Sequence, residues 1–494
     1  MKGTVLAEVA PHEVRPALEG LLAGGGRAQM IYAWYPEPGR LELRYLATAA
    51  GREGFRMWRC TPGEEMASLA DLVPLFGWYE REIMDLFGLP FRGNPEPHRL
   101  VLHEGMKPAP PPFSPAARGE ALVPTGSRRH RAPAIDAPEV QELPFGPVRA
   151  DVFESAEFLF FYLGERIIHY QPSLFFKHRG MEKRFEGRVP AACVVLAERV
   201  SGVGSLAHAL AYCQAVEAAA ECIVPARAAA LRVLLAELER LYNHLHYLGH
   251  LAGTTTLKVG EAQGKLLEER AKQINARLTG SRFLRSLLVP GGLRRDLDPK
   301  PWLAEALEAL REEIAAYTGL LGRSESYLDR LIGTGILERE VAFDQGATGP
   351  IDRASGLDRD LRRDHPYAAY GGLEVEVPIE RAGDAEARAK VRIGEIGASL
   401  ALMQRVLLLL PDGPVAATAA PPAGSEGLGW AESPRGTLFY AVHIGADGRL
   451  ARVKIKSPSF SNWRAFPFTV HETNMMDYAI NEASFGLTIA GCDR

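Results

Sequence analysis

The chain has 494 residues, 47% of them apolar and 24% charged, with a formal net charge of −4. That length suits two to four domains with at least one large core. The near balance of charge lacks the basic footprint of a nucleic-acid binder, so proteins or small molecules are the expected partners. The five cysteines, Cys60, Cys193, Cys213, Cys222 and Cys492, form no Cys-x-x-Cys pair. That fits a reducing compartment and leaves no quartet for an iron–sulfur cluster in this chain. The start of the chain lacks an apolar core, so no signal peptide is expected. No apolar run reaches the roughly 18 residues of a membrane span. The longest candidate, Ile396 to Leu410, is broken by Gln404 and Arg405. No Gly-x-Gly-x-x-Gly fingerprint opens a βαβ unit, which argues against a nicotinamide site here.

Residues 1–100 read as a small α+β domain. Gln29 to Tyr35 and Leu41 to Ala47 are predicted strands, the second alternating apolar and polar, with a turn at Pro36 to Gly39. Helices are predicted at Glu13 to Leu22 and at Ser68 to Leu75. The stretch Gly77 to Pro95 carries Glu80, Arg81, Glu82 and Asp85 on about two helical turns. So many charges in so little helix predict docking through inter-subunit ion pairs rather than solvation alone. The stretch resembles the signature of the 30-kDa subunit of respiratory complex I, Glu-Arg-Glu-x-x-Asp-x-Phe-Gly-x-x-Phe-x-Gly-His-Pro, with Asn94 in place of the histidine.

Residues 101–142 read as a connector. Pro108 to Pro115 is too rich in proline for a helix or a central strand, and a short basic run follows at Ser127 to Pro133. That run is expected to be solvated, or to touch an acidic neighbour or a membrane surface.

Residues 143–494 read as a mainly helical bundle with a β-rich fringe, so the fold class is α+β overall. Phe153 to Arg166 predicts a hairpin turning near Gly164. Pro225 opens a helix with a leucine stripe from Leu231 to Leu248, ended by Gly249 and Gly253. Further helices are predicted at Glu261 to Leu278, Pro301 to Ser324 and Arg388 to Leu410. The stretch His178-Arg179-Gly180-Met181-Glu182-Lys183 resembles a motif shared by nickel–iron hydrogenase large subunits and the complex I 49-kDa subunit.

One stretch organises the rest. Arg199, Ser201, Gly202, Gly204 and His208 lie in a small-residue turn that opens into an apolar helix. It resembles the first metal motif of the hydrogenase large subunit, Arg-x-Cys-Gly-x-Cys-x-x-x-His, with Ser201 and Gly204 in the two cysteine places. The hydrogenase C-terminal motif, Asp-Pro-Cys-x-x-Cys-x-x-His or Arg, aligns on Arg494 with Thr488 and Gly491 in its cysteine places. Nickel needs soft thiolates, which a serine or threonine oxygen and a bare glycine do not supply. The resemblance therefore implies a hydrogenase-like shell without a metal and without hydrogenase activity.

The order of the two domains resembles the large subunit of group 4, formate hydrogenlyase-type hydrogenases and the fused complex I subunits. That implies a peripheral subunit on the cytoplasmic side of the cell membrane, in a complex that carries electrons to a quinone or similar acceptor coupled to ion translocation. Its neighbours would be a small subunit holding an iron–sulfur cluster and antiporter-like membrane subunits, with NAD and quinone bound within the assembly. This chain itself would hold no cofactor, except that quinone could enter the former metal cavity.

The complex I quinone clamp is absent: Arg149 and Phe153 stand where that family has histidines. Donors for a quinone would then be Arg149 and His178, with Arg179 and His208. His208 reads either as a proton relay or as a buried histidine bonded to a neighbour. Glu182, beside Arg179 and Lys183, reads either as a proton-path carboxylate or as a structural ion pair. His246 and His250 share a helix face but lack a third metal ligand. The alternative function is a scaffold that binds no substrate.

Overall fold

In the computed structural model all residues are described except 1–3, 52–53, 103–105, 107, 118–134, 136 and 150–153. The basic run at 127–133 and the Phe153 position lie outside the described residues. In the first domain, β1 (Thr4–Glu8), α1 (Val14–Ala23), β2 (Arg27–Glu37), β3 (Arg40–Thr48) and β4 (Phe55–Cys60) build a four-stranded sheet. Its order is β1-β4-β3-β2, with β1 parallel to β4 and the other pairs antiparallel.

The helix predicted at Ser68 to Leu75 is instead a series of turns, and α2 (Phe76–Phe87) follows them. Glu80 captures that segment from the helix, accepting from Ser68 Oγ at 2.6 Å and Leu69 N at 2.7 Å. These bonds compete with the i→i+4 ladder a helix would need. Nor are the α2 charges reserved for another subunit, because all but Arg81 are buried within this chain. Glu82 reaches Lys454 at 2.7 Å and Arg494 at 3.1 Å. Asp85 accepts from the backbone N–H groups of Leu100, Val101 and Leu102.

The proline-rich stretch is not a free spacer either. Phe113 is buried, donates its N–H to Leu86 O at 3.0 Å, and stacks on Phe87 with centroids 5.1 Å apart.

The second domain opens with an antiparallel sheet of β5 (Gln141–Phe145), β6 (Glu157–Leu163) and β7 (Arg166–Ser173), turning at Gly164 as predicted. Short α3 (Met181–Phe185) follows. The bundle is α4 (Ser205–Ala219), α5 (Ala226–Thr254), α6 (Lys258–Thr279), α7 (Trp302–Arg323) and α8 (Ala385–Leu409). The leucine stripe of α5 is fully buried, but the helix does not stop at Gly249; it runs on to Thr254. Gly249 serves a close helix crossing: a Cβ built on Gly264 of α6 would sit 2.5 Å from Gly249 Cα.

The chain ends in a sheet of β8 (Glu426–Ser433), β9 (Gly436–Ile444) and β10 (Leu450–Lys456), then α9 (Pro458–Ala465), α10 (Tyr478–Phe485) and α11 (Ile489–Asp493).

The two domains share one core. Trp34 stacks on His443 with centroids 3.9 Å apart, and Phe55 packs edge-on against Trp430 and Phe439. Inside the bundle the centre is ionic. Arg240 pairs with Glu395 at 3.0 Å, Arg353 with Glu432 at 3.1 Å, and Arg362 with Asp360 at 2.7 Å, every group buried. Mutual pairing is what lets such charges stay out of water.

Candidate functional site

The turn bearing Ser201 and Gly204 leads into α4 and lies against α11. Two backbone N–H groups of the first α4 turn, Leu206 and Ala207, donate to the Glu239 carboxyl of α5 at 2.7 and 2.9 Å. A carboxyl at a helix N-terminus answers both the unpaired donors and the macrodipole. Burial nevertheless pushes Glu239 up to about 7, against the lowering effect of those two bonds.

The opposite wall comes from Thr488, whose side chain accepts from Gly491 N as the N-cap of α11. Thr488 Oγ1 also lies 3.2 Å from Ser459 Oγ. A Cβ built on Gly491 would fall 2.5 Å from Thr488 Oγ1, 3.2 Å from Ser457 Oγ and 3.5 Å from Ser201 Oγ. Ser201, Thr488 and Gly491 thus converge on a cluster of hydroxyls, and the place of a side chain at 491 is filled. Hydroxyl oxygens are hard donors and do not match a soft nickel site. A nickel centre does not fit the residues present. Cys492, the nearest thiol in sequence, is buried in α11, and burial drives its pKa well above the thiol range, keeping it protonated.

Of the predicted site residues, His208, Arg179 and His178 lie beside this centre, each already engaged. His208 lies 3.7 Å, through Cδ2, from a Cβ built on Gly204, and its Nδ1 is 2.8 Å from the Tyr440 hydroxyl. Burial, with Arg179 nearby, lowers His208 to about 3, so the ring is neutral at physiological pH. Arg179 donates to Val200 O at 2.6 Å and Ala490 O at 3.0 Å, tying the Ser201 turn to α11. His178 Nδ1 is 2.7 Å from Asp493 O, and burial depresses its pKa.

Glu182 is not poised to carry a proton. It meets Arg452 at 2.6 Å, Lys454 at 3.1 Å and Arg494 at 3.2 Å. Burial alone would raise its pKa, but these cations outweigh that and hold it ionised far below the carboxylate range. Arg149 sits apart from the hydroxyls. It pairs with Glu482 at 3.0 Å and lies over the Phe145 and Phe158 rings. His246 and His250 stack with centroids 6.3 Å apart, and His246 faces Glu268 at 3.0 Å. Among the described residues no group of three His, Cys, Asp or Glu side chains could hold a metal ion.

Sequence reasoning missed Glu239, Tyr440, Ser457 and Ser459. The Ser457-Pro458-Ser459 stretch carried the only signal, a proline opening α9 between two hydroxyls. Nothing local marks Glu239 or Tyr440, which reach the site only through the tertiary fold.

Three family models match successive parts of the chain. Residues 8–116 match the respiratory-chain NADH dehydrogenase 30-kDa subunit. Residues 266–423 and 417–494 match its 49-kDa subunit, and residues 179–279 match the nickel-dependent hydrogenases. The chain is 34% identical over 430 residues to formate hydrogenlyase subunit 5 of Escherichia coli, covering 84% of this chain and 74% of that one. Hydrogenase-4 component G of the same organism is 31% identical, covering 84% and 73%. The fused C/D polypeptide of the NADH-quinone oxidoreductase of Rhodopseudomonas palustris is 29% identical, covering 86% and 82%. Among solved structures, a chain of the archaeal membrane-bound sulfane sulfur reductase superposes with a TM-score of 0.68 at 26% identity. That match covers 73% of this chain and all of the other.

Proposed function

Since the chain belongs to the family of group 4 hydrogenase large subunits and fused complex I 30-kDa and 49-kDa subunits, we propose that it is a peripheral subunit of a membrane-bound, complex-I-like redox complex and has no hydrogenase chemistry of its own. The observation that carries the second half is the hydroxyl cluster of Ser201, Ser457, Ser459 and Thr488 around Gly491. It offers no thiolate, and a side chain added at 491 would run into the Thr488 hydroxyl.

In this reading a small iron–sulfur subunit docks beside the Ser201 turn, antiporter-like subunits lie in the membrane, and the chain sits on the cytoplasmic face. Electrons pass to a quinone or similar acceptor in the assembly, coupled to ion movement. This chain closes the space beside the cluster and transmits movement through its ionic core. Quinone contact with this chain is the second reading. The donors named for it favour the first, because His178, Arg179 and His208 already bond to protein atoms.

The test is to purify the native complex, identify its subunits, and measure nickel, iron and H2 turnover. Expected are iron on a partner subunit, less than a tenth of an equivalent of nickel per chain, and no H2 turnover. Stoichiometric nickel or H2 evolution would end the proposal. Quinone reduction that falls at least tenfold in His208→Ala, in an intact complex, would favour the second reading over the first.

A further inference from the structure

A cleft of about 480 Å³ opens between the first domain and β7, away from the hydroxyl cluster. That size suits a small molecule. Trp78 and Phe175 form an apolar wall with rings 6.3 Å apart, and Phe468 stands 51% exposed at the rim. Two polar groups on the wall lack partners. Arg464 Nε and Gln345 Oε1 are both buried without a hydrogen bond. The Arg464 guanidinium lies 5.8 Å from the centre of the Trp78 ring, and burial pulls it down to about 10.

The other arginines of the cleft are engaged: Arg81 with Glu96 at 2.7 Å and Arg99 with Asp85 at 3.2 Å. Glu96, already held by Arg81, and the buried Glu80 favour the charged form of Arg464, and Arg81 opposes it. The other charged wall groups add no anion. His169 is lowered by burial and by His471, so it is neutral. A buried guanidinium nitrogen without an acceptor is costly, and so is a buried amide oxygen without a donor.

We propose that this cleft binds a small amphipathic anion, its carboxylate or phosphate on Arg464, its apolar body against Trp78, Phe175 and Phe468, and a hydroxyl or N–H donating to Gln345. The ligand supplies an acceptor for the Arg464 guanidinium and a donor for the Gln345 amide once a small side-chain turn brings the buried Nε and Oε1 atoms to the cleft surface. Its flat or aliphatic part covers the exposed Phe468 ring.

Calorimetry on the full chain in its complex tests this with 4-hydroxyphenylacetate, phenyl phosphate and, as a neutral control, phenol. Expected is saturable one-to-one binding of at least one anion, with phenol at least tenfold weaker. The two anions separate a carboxylate ligand from a phosphate one. Arg464→Met should weaken the anion at least tenfold in a protein with unchanged circular dichroism. If that variant does not fold, Phe468→Ala at the exposed rim should still weaken binding several-fold. Binding of neither anion, phenol binding as tightly, or unaltered affinity in whichever variant folds would overturn the assignment.

Discussion

Replacing Glu182 by Gln keeps the shape of the side chain and removes the charge shared by Arg452, Lys454 and Arg494. The three contacts are 2.6, 3.1 and 3.2 Å long. At an effective dielectric of about 20, each is worth roughly 5–6 kcal/mol of Coulomb attraction. Desolvation of the four groups offsets most of that sum. Removing one partner of a buried pair typically costs about 3–5 kcal/mol, because the remaining charge stays buried and uncompensated. The expected loss for Glu182→Gln is therefore about 4 kcal/mol, read as a shift in urea unfolding at pH 7.

The control is Glu8→Gln, which breaks the exposed pair with Arg59 at 2.8 Å and should cost under about 1 kcal/mol. The pH dependence has a fixed sign. Glu182 is depressed in the folded state, so its stabilisation is full above the unfolded carboxylate value and is lost as pH falls towards the folded one. The gap between native chain and variant should thus shrink below about pH 4.5. A cost below about 1 kcal/mol at pH 7, or a gap that widens on acidification, would refute the reasoning.

The raised Glu239 acts in the opposite sense: its folded value of about 7 lies above the unfolded one, so stability is present at low pH and lost as pH rises through 7. Glu239→Gln should therefore gain on the native chain by roughly 2–3 kcal/mol between pH 5 and 8 in unfolding titrations, and a gap that stays flat would count against the value. Gly264→Ala drives a methyl to 2.5 Å from Gly249 Cα and 2.6 Å from the Tyr317 hydroxyl; it should cost about 3 kcal/mol, visible as a lowered melting temperature, and a neutral result would mean the crossing is looser than described. Gly491→Cys should destabilise by roughly 1–3 kcal/mol through its contact with Thr488, and adding Thr488→Ala should recover part of the loss; an unchanged melting temperature for the single variant would mean the hydroxyls do not fill that space.

Elements whose signals are local were legible in the sequence. The hairpin at Gly164, the leucine stripe of α5 and the long bundle helices lie where periodicity and turn residues put them. The errors share a physical cause. Glu80, Glu82 and Asp85 look like a docking face because charge density says nothing about which chain supplies the partner, and here this chain does: Ser68 and Leu69 for Glu80, Lys454 and Arg494 for Glu82, the N–H groups of Leu100 to Leu102 for Asp85. Gly249 looks like a helix stop because a missing Cβ signals a break and a close crossing alike. At the site, Ser201, Gly204, Thr488 and Gly491 could be picked out one by one from the sequence. The meeting of Ser201, Thr488 and Gly491 in one hydroxyl cluster depends on α11 packing against α9 and the Ser201 turn, and the buried carboxyl of Glu239 on α5 lying beside the start of α4, which no local pattern encodes.

Lys454 and Glu82, 372 positions apart along the chain, bear on how the two halves stay together. Their bond, with the ring contacts around His443, makes the seam between the halves a surface of the kind found inside one domain rather than a tether between two. A break in the polypeptide between residues 117 and 135 would therefore leave a tight two-piece particle. Covalent continuity adds only a higher local concentration of one half for the other. Whether such a protein is made as one polypeptide or as two separate ones is then close to neutral for the finished shape, and decides chiefly how reliably the halves meet in equal numbers.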